Sequence, residues 1–340
     1  MAHHPLRLVL DGDALVSNWR WLKAQGSGAA CGAAVKADGY GLGAREVVKR
    51  LAEAGCRDFF VATWAEAEAL GPLAEGLSLS VLHGIAPEDG DLPPGVRPVL
   101  NTAEQVRRWG ARGPCDVMID TGINRLGLAV SEDGLLGGLE IVTLMSHLAC
   151  ADEDVPANER QRTQFVERSA AIPAQRRSLA NSAGICLGAD YTFDLTRPGL
   201  ALYGGIPRRE AEGNIRQVAR VEAQIVQRRR VEAGEGIGYN ATFAPEEKCE
   251  LAVVNIGYAD GYLRGFSSRG RARAAGGEWM PVVGRVSMDL TAVCVDAAPE
   301  LREGDWLEID YDLPSASAQS GLSQYELLTS LGGRHEPIWR

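Results

Sequence analysis

The first two thirds of the chain alternate short apolar runs with helix-like stretches, and this alternation limits the fold more than any other feature. The predicted strands span residues 32–37, 58–63, 79–84, 98–101, 116–120, 141–147, 177–181 and 192–197. The predicted helices span 44–54, 65–70, 103–109 and 158–171. Strand–helix–strand repetition implies a parallel sheet. Eight such units in about 200 residues predict an α/β fold of the (β/α)8 TIM-like barrel type. A doubly wound open sheet is the alternative, because periodicity does not prove closure.

After Gly213 the pattern changes, and strand signals dominate. The segments 218–231, 249–262, 280–296 and 305–310 are β-rich, and helical periodicity stays weak until 323–331. We therefore predict a barrel domain over 10–213 and a β-rich C-terminal domain over 214–340. An N-terminal strand at 5–9 is expected to join the second domain. No internal repeat of the solenoid type is present.

The composition disfavours several classes of partner and site. The chain has 340 residues and a formal net charge of -10, so nucleic acid and anionic membranes would repel it. The N-terminal segment shows no signal peptide and no membrane-spanning run, and we expect a cytoplasmic protein. The seven cysteines are scattered and form no CxxC pair. This argues against a disulfide framework and against a metal site.

The segment CGAAVKADGYGLG, residues 31–43, contains the first candidate for chemistry. Lys36 ends a predicted strand and precedes three closely spaced glycines. In a barrel, the C-terminal ends of the strands surround the active-site mouth. A lysine that is partly desolvated there has a lowered pKa, and its free amine can form a Schiff base. The alternative is a lysine that extends its ammonium group from a strand end into water.

Other polar residues follow predicted strands at the same edge: Arg125, His147, Asn181, Ser182, Arg197 and Gly199. Each has a simpler explanation by itself. His147 suits a satisfied core histidine, and Asn181 with Ser182 suits a helix cap. If the barrel prediction holds, all of them face the same mouth as Lys36. Their convergence favours a shared site.

The two loops 181–184 and 198–200 are suited to a phosphate. Their small residues let backbone N–H groups approach closely, and a following helix N-terminus favours an anion. Barrels often bind phosphate with their seventh and eighth loops. A lysine at one strand end and a phosphate site across the mouth together indicate pyridoxal 5'-phosphate as the cofactor.

Eight motifs extend the argument along nearly the whole chain. They are AVKADGYGLG, DTGINRLG, SHLACADE, NSAG, TRPGLALYG, GYNATF, IGYADGY and VGRVSMD. Each is weak alone, but their order and spacing are specific. Through them the chain resembles the bacterial alanine racemases, which are fold-type III pyridoxal-phosphate enzymes. The resemblance implies an isomerase that interconverts L- and D-alanine with two bases. It also implies a homodimer whose active sites combine residues of both subunits.

The resemblance implies roles for individual residues. Lys36 would hold the cofactor and act as one base, and Tyr239 of the partner subunit would act as the second. Without the resemblance, a packed strand tyrosine is the favoured interpretation of Tyr239. Arg197 would face the pyridine nitrogen, with His147 hydrogen-bonded to it. The remaining cofactor positions are Tyr40, Asn181, Ser182, Gly199 and Leu200. Substrate-carboxylate positions are Arg125 and the backbone of Met288, and entrance positions, again from the partner, are Tyr258 and Arg264.

The sequence departs from the common pattern of the family at three positions. Met118 stands where many relatives have a lysine that is carbamylated and holds the carboxylate-binding arginine. Asn124 stands where glycine is common before Arg125, and Gly333 stands where many relatives place a tyrosine that narrows the entrance. We expect another group, such as Asn124 or a bound chloride ion, to hold Arg125. We expect these three departures to affect the substrate range more than the type of reaction.

Three other functions stay open from the sequence. A decarboxylase of the same architecture is one, although such enzymes normally place a carboxylate at the pyridine nitrogen instead of an arginine. A non-catalytic pyridoxal-phosphate-binding protein is the second, although such proteins are typically a barrel alone. The third is a racemase that acts on serine or on a wider set of amino acids.

Overall fold

The structure, a computed structural model, describes residues 4–89, 93–331 and 333–340. The chain divides into two compact units. The barrel unit comprises Leu15–Leu202 and Ile206–Arg216. The C-terminal unit comprises the chain up to Ala14, Tyr203–Gly205 and the chain from Gln217 onward. Strand β1 (Leu6–Leu10) pairs within the C-terminal unit.

The barrel unit is built on parallel strands that follow one another round a ring. They are β2 (Ala30–Cys31), β3 (Ala33–Ala34), β4 (Asp58–Val61), β5 (Ser78–Val81), β6 (Val96–Leu100), β7 (Cys115–Met118), β8 (Ile141–Met145), β9 (Arg176–Ser178) and β10 (Leu195–Thr196). Strands β3 to β9 form one sheet in sequence order. The backbone N–H of Asp194 donates to the Arg177 carbonyl at 3.0 Å, and β10 pairs with β2. The ring is therefore closed.

The predicted TIM-like barrel is confirmed, and the open-sheet alternative is wrong. Strands β2 and β3 together occupy the first predicted position and are interrupted at Gly32. A Cβ atom at Gly32 would lie 2.8 Å from the Asp58 carbonyl oxygen, so only glycine fits against β4 there. The strand ends at Ala34, three residues before the predicted end at residue 37, so Lys36 lies beyond the strand.

Seven helices belong to this half of the described chain: α1 (Gly12–Gln25), α2 (Lys36–Tyr40), α3 (Ala44–Ala54), α4 (Trp64–Leu70), α5 (Ala103–Trp109), α6 (Pro156–Ala171) and α7 (Ser182–Cys186). Threonine side chains begin two of them. Thr63 accepts from the backbone N–H of Glu66, and Thr102 accepts from that of Gln105. Such N-cap bonds satisfy donors that have no partner inside the helix.

Strand residues alternate between the inside of the barrel and the layer below the helices. Phe60, Val99, Met118, Met145 and Leu195 come from five strands and pack together inside the ring. Their chain neighbours, including Leu100, Val117 and Leu144, pack outward in a cluster that also contains helical Phe165. Strands β4 and β7 are buried at every residue, on both faces, as expected for a parallel barrel.

The C-terminal unit is β-rich, as the sequence predicts, and its sheet is mostly antiparallel. Its strands besides β1 are β11 (Ala219–Val231), β12 (Cys249–Val254), β13 (Arg271–Arg273), β14 (Met280–Val283), β15 (Thr291–Cys294), β16 (Trp306–Ile309) and β17 (Glu336–Trp339). Strand β11 pairs with β1 and β16 along its first half and with β12 along its second half. A register shift between Ile225 and Gln227 marks the change of partner. Helices α8 (Leu313–Ser320) and α9 (Gln324–Ser330) precede β17.

Within residues 4–89, 93–331 and 333–340, no helix has both the length and the apolar character that crossing a membrane requires. The same residues contain no cluster of three or more His, Cys, Asp or Glu side chains suited to a metal ion. The seven cysteines are free, and four of them are buried.

Candidate active site

Lys36 lies at the start of the short helix α2, directly beyond the end of β3. Ala37, Asp38 and Gly39 have positive φ angles, so the chain turns sharply away from the strand at this point. The turn is held by the Asp38 carboxylate, which accepts from the backbone N–H of Ala44 at 2.8 Å. The lysine therefore stands at the C-terminal mouth of the barrel on a backbone with little freedom.

The mouth concentrates positive charge. Burial lowers the pKa of Lys36 below its usual value, the Arg125 guanidinium lowers it further, and the Glu66 carboxylate opposes both. Burial also lowers the pKa of His147 to about 3. The charges of Arg197, Arg125 and Lys36 act on His147 in the same direction. The structure thus brings these four predicted residues near one another, with cations in excess.

Arg197 follows β10 and is almost completely buried, at 6% exposure. Its guanidinium donates to the Ser146 carbonyl at 2.6 Å and to the Ser178 hydroxyl oxygen. Burial lowers the pKa of Arg197 to about 10, and the Asp116 carboxylate opposes that shift. The implied hydrogen bond between His147 and Arg197 is not among the bonds of the described residues, since Arg197 uses Ser146 and Ser178 instead.

The two predicted phosphate loops meet at Ser182, which is buried at the first position of α7. Its hydroxyl oxygen accepts from the backbone N–H groups of Gly199 and Ala201 at 3.0 and 3.2 Å. Gly199 also lies against Tyr40, because a Cβ atom there would be 2.1 Å from the Tyr40 hydroxyl oxygen. Loops 181–184 and 198–200 and residue Tyr40 are therefore gathered at one place.

Asn181 and Leu200 flank this place. The side chain of Asn181 accepts from the backbone N–H of Gly184 at 2.8 Å, so Asn181 is the N-cap of α7, as the simpler explanation of this residue predicts. Leu200 is buried, at 3% exposure. Both residues lie where the sequence places them, beside the Ser182 hydroxyl.

Arg125 lies in the loop that follows β7 and is exposed. It makes no hydrogen bond and no ion pair with the described residues. Met118, at the position of the family's lysine, is packed in the apolar cluster inside the barrel. The backbone N–H of Asn124 is bonded to the Asp120 carboxylate, and its φ angle is 54°. The expectation that the Asn124 side chain holds Arg125 is therefore not met among these residues.

Tyr239 belongs to the C-terminal unit, where it begins a one-turn segment in the connection between β11 and β12. It is 64% exposed, so the interpretation of a packed strand tyrosine is wrong. The turn is narrow, because Gly238, Asn240 and Ala241 all have positive φ angles and Ile237 N–H donates to Phe243 O at 2.8 Å. This geometry presents the phenol to the outside.

Met288 and the entrance residues form a second group in the same unit. The Met288 carbonyl accepts from Ala259 N–H at 3.0 Å, and the neighbouring Ser287 carbonyl accepts from Tyr258 N–H at 3.0 Å. The Arg264 guanidinium lies 5.4 Å from the centre of the Tyr258 ring, within range of a cation–π contact. The sequence-predicted residues Met288, Tyr258 and Arg264 are therefore directly connected.

Several supporting residues are absent from the sequence prediction. Glu66 accepts from Ala37 N–H at 2.8 Å and so holds the backbone next to Lys36. Gln161, on α6, donates to the His147 carbonyl at 3.0 Å and accepts from Ala149 N–H at 2.8 Å. The pattern of Thr63 followed by Glu66 signals a helix cap, but no sequence pattern shows that this cap also reaches the lysine turn.

Comparison with known proteins assigns the family. Residues 10–207 match the family model "Alanine racemase, N-terminal domain", and residues 218–339 match "Alanine racemase, C-terminal domain". The chain is 41% identical to the alanine racemase of Acidiphilium cryptum over 99% of both chains. It is 40% identical to the biosynthetic alanine racemase of Agrobacterium fabrum over 98% of this chain and 93% of that one.

Solved structures agree with these relatives. The alanine racemase of Bartonella henselae, solved with covalently bound pyridoxal phosphate, is 34% identical and superimposes with a TM-score of 0.91 over 100% of both chains. The biosynthetic alanine racemase of Pseudomonas aeruginosa is 30% identical, with a TM-score of 0.87 over 99% of this chain and 100% of that one. The chain described here belongs to the alanine racemase family.

Proposed function

We propose that this protein is an alanine racemase that uses pyridoxal 5'-phosphate held by Lys36. The observation that carries the proposal is the position of Lys36 at the barrel mouth, where burial and Arg125 both lower the pKa of its amine. A neutral amine is the form that attacks an aldehyde. The full-length similarity to alanine racemases indicates that the substrate is alanine.

The residues at the mouth fit this cofactor. The positive charges of Lys36, Arg125 and Arg197 all act on His147, and this excess of cations suits a ligand that carries a phosphate. The joined loops at Ser182 and Gly199 suit the phosphate itself, since Gly199 has no side chain and so lets the Tyr40 hydroxyl lie directly against the loop. We assign cofactor contacts to Lys36, Tyr40, His147, Asn181, Ser182, Arg197, Gly199 and Leu200.

When bound, the cofactor withdraws electrons from the amino acid and makes its Cα proton acidic. The chain must then provide groups that hold this proton on each face of the substrate. We assign one face to the Lys36 amine at Nζ and the other to the Tyr239 hydroxyl of the partner subunit. Two bases on opposite faces invert the centre without turning the substrate over.

Arg197 sets the electrostatics at the far side of the site. Its pKa stays near 10, so it is charged at neutral pH and donates hydrogen bonds without releasing a proton. The bonds to Ser146 and Ser178 fix the plane of the guanidinium, which is assigned to the ring nitrogen. A hydrogen bond from arginine withdraws less electron density from the ring than a proton on the ring nitrogen would, and this limits side reactions such as transamination. The presence of an arginine at this position also argues against a decarboxylase, because decarboxylases of this architecture normally place a carboxylate there.

The working unit we propose is a homodimer with two composite sites. Tyr239 and Met288 are 64% and 53% exposed in the single chain. They border a cleft of about 590 Å³ whose lining includes their neighbours Gly238 and Ser287. Large side chains exposed around a cleft are typical of a surface that a partner covers. In the dimer, Arg125 of one subunit and the Met288 backbone of the other would bind the substrate carboxylate.

We also place the protein in the cytoplasm. Seven free cysteines without a disulfide suit a reducing compartment. Burial raises the pKa of the Cys31 thiol to about 12, which keeps it protonated and unreactive.

A chiral assay of the purified protein across a panel of amino acids tests the function. Interconversion of L- and D-alanine is expected, whereas release of the carboxyl group as CO₂ would identify a decarboxylase. Absence of turnover with cofactor bound would identify a binding protein. Borohydride reduction followed by peptide mapping tests the lysine. Label on Lys36 is expected, and label on Lys23, Lys49 or Lys248, the other lysines of the chain, would overturn the assignment.

A further inference from the structure

The loop that carries Arg125 is closed at its base by backbone bonds. Asp120 N–H donates to the Leu128 carbonyl at 3.0 Å, and Leu128 N–H donates to the Met118 carbonyl at 2.9 Å. Gly127 is required for this closure, since its φ angle is 122° and a Cβ atom would lie 2.7 Å from the Asp120 nitrogen. The loop 120–128 therefore leaves β7 and returns to its end.

The inside of the loop is organised by one carboxylate. An Asp120 side-chain oxygen accepts from the backbone N–H groups of Gly122, Ile123 and Asn124 at 2.9, 3.0 and 3.2 Å. These bonds fix the turn that directly precedes Arg125. They do not involve the Asp120 carbonyl, and the Leu128 carbonyl, which accepts from Asp120 N–H, has a second lone pair for another donor.

Arg168 binds these carbonyls from outside the loop. It lies in the last turn of α6, and its side chain is only 7% exposed. The guanidinium donates to the Asp120 carbonyl at 2.5 Å and to the Leu128 carbonyl at 2.9 Å. Asp133 completes the arrangement by accepting from the same guanidinium at 2.5 and 3.0 Å. One arginine therefore joins both ends of the loop to a helix.

Arg125 has no side-chain partner among the described residues, and Met118 offers it no charge. The direction of the Arg125 guanidinium then depends on the loop backbone. We propose that Arg168, held by Asp133, is a positioning residue that fixes Arg125 for the substrate carboxylate. This inference rests on the proposed function, because it assigns that carboxylate to Arg125. In this chain the Arg168–Asp133 pair orients Arg125 through the loop backbone, in place of a charged side chain next to Arg125.

The test compares the holoenzyme of Arg168→Met with that of the milder variant Asp133→Asn. Arg162→Met is the matched control, because Arg162 lies on the same helix and pairs with surface Glu159 at 2.6 Å. Displacing a substrate-positioning group by about 1 Å costs on the order of 100-fold. A carboxylate contact that is made equally in the ground state and the transition state is lost as a rise in KM, so Arg168→Met should raise the KM for alanine by about 10- to 100-fold with a smaller effect on kcat. Asp133→Asn should show a smaller effect, and the control none.

Two further readouts separate positioning from general destabilisation. The inhibition constant of propionate, a carboxylate without an amine, should rise together with KM in Arg168→Met. The affinity for pyridoxal phosphate and the absorbance of the bound cofactor should not change. In an Arg125→Met background, adding Arg168→Met should cause no further loss. A further loss of the same size there, or weakened cofactor binding that parallels the loss of activity, would overturn the proposal.

Hydrogen exchange tests the proposal independently of turnover. In Arg168→Met, the amides of Gly122, Ile123, Asn124 and Leu128 should exchange faster, while amides of α6 keep their protection. Unchanged protection in the loop would overturn the role of Arg168 even if activity fell. If the wild-type protein bound the cofactor and failed to racemise alanine, the proposed function would fail, and exchange would still decide whether Arg168 holds the loop.

Discussion

The pKa of Lys36 is set by burial and by two charged neighbours, one cationic and one anionic. Burial lowers its pKa, Arg125 lowers it further, and Glu66 raises it. We predict that Arg125→Met raises the pKa of Lys36 and Glu66→Gln lowers it further. Only the neutral amine captures the aldehyde, so the pH midpoint for cofactor capture by the cofactor-free protein should move up in the first variant and down in the second. Absorbance-monitored mixing over a pH series measures both.

Glu68→Gln is the control, because Glu68 lies two residues further along the same helix and is exposed. It should leave the midpoint in place. Shifts of the same sign in both test variants would contradict the assigned charges, and a shift in the control would indicate a general effect of net charge.

Gly333 adds no side chain where the family resemblance implies a tyrosine at the entrance. It is exposed, and a Cβ atom there would meet nothing within 4 Å. We predict slow serine racemisation beside alanine in the wild-type protein. Gly333→Tyr should restore a ring at the entrance and lower the ratio of serine to alanine turnover. A pocket contact worth about 1–3 kcal/mol corresponds to roughly 10–200-fold discrimination. Chiral chromatography with each substrate measures the ratio.

Gly333→Ala separates the ring from the loss of glycine, and it should behave like the wild type. Undetectable serine turnover in the wild-type protein at high enzyme concentration would contradict the prediction. A fall in thermal stability of Gly333→Tyr would show that the added side chain is not accommodated.

Some residues of the candidate site could be predicted from the sequence, and others could not. Lys36, Arg125, His147 and Arg197 could be predicted because each follows a strand in a regular barrel, and strand order alone puts them at one mouth. Arg168 could not, because the two acceptors that tie it to the loop are backbone carbonyls 40 and 48 residues away. A bond to a carbonyl leaves no mark on the residue type of its partner, so only the fold identifies it.

At the level of elements, the sequence predicts which helices and strands are present better than it predicts the residues at which they begin and end. All eight barrel strand positions are occupied, and α3 and α5 span the predicted residues. Helix α8 is missing from the prediction, because LPSASAQS consists mainly of small residues and shows no amphipathic pattern. Helix α1 is missing from the prediction although Leu15, Trp19 and Leu22 are buried at helical spacing. Strand β3 ends early because the chain turns sharply at Ala37. An alanine rarely has a positive φ angle, so the sequence does not predict this turn.

One ion-pair junction joins three segments of the C-terminal unit. The Arg334 guanidinium contacts the Asp260 carboxylate at 3.0 Å and the Asp289 carboxylate at 2.7 Å. Asp260 and Asp289 lie next to the turns that carry Tyr258 and Met288. Asp260 is fully buried, and burial raises its pKa, whereas the Gly257 N–H bond and the charges of Arg334 and His335 oppose that shift. Arg334 therefore compensates a buried charge.

We predict that Arg334→Met destabilises this unit in a way that depends on pH. Leaving a buried acceptor without its partner costs about 1–3 kcal/mol. A carboxyl whose pKa is higher in the folded than in the unfolded protein binds more protons when folded, so stability falls as pH rises. The destabilisation should therefore be largest above the folded pKa of Asp260 and smallest in acid. Urea unfolding from pH 5 to pH 8 measures it.

Arg302→Met, a change at an exposed position in the same unit, is the control and should show no such dependence. Adding Asp260→Asn to Arg334→Met should remove the pH dependence, because the titrating group is gone. A destabilisation that is equal at both ends of the pH range would assign the loss to packing instead of charge.

At the level of the whole molecule, the proposed site needs a second copy of the chain. Lys36 belongs to the barrel unit, and Tyr239 belongs to the C-terminal unit, where it is exposed. The predicted assembly is a two-fold dimer in which each Lys36 works with the Tyr239 of the partner subunit. Two-fold symmetry makes the exchange reciprocal, so both sites are completed at once.

Two inactive variants test this arrangement. Lys36→Ala removes one base and Tyr239→Ala the other, so each homodimer should be nearly inactive. A mixed dimer then contains one site with both changes and one site with neither. Random mixing makes about half of the dimers mixed, each with one working site of two, so activity should return to roughly a quarter of wild type. If both bases came from the same chain, every site in the mixture would lack one of them. Verified mixed dimers without restored activity would therefore place Tyr239 in the site of its own subunit.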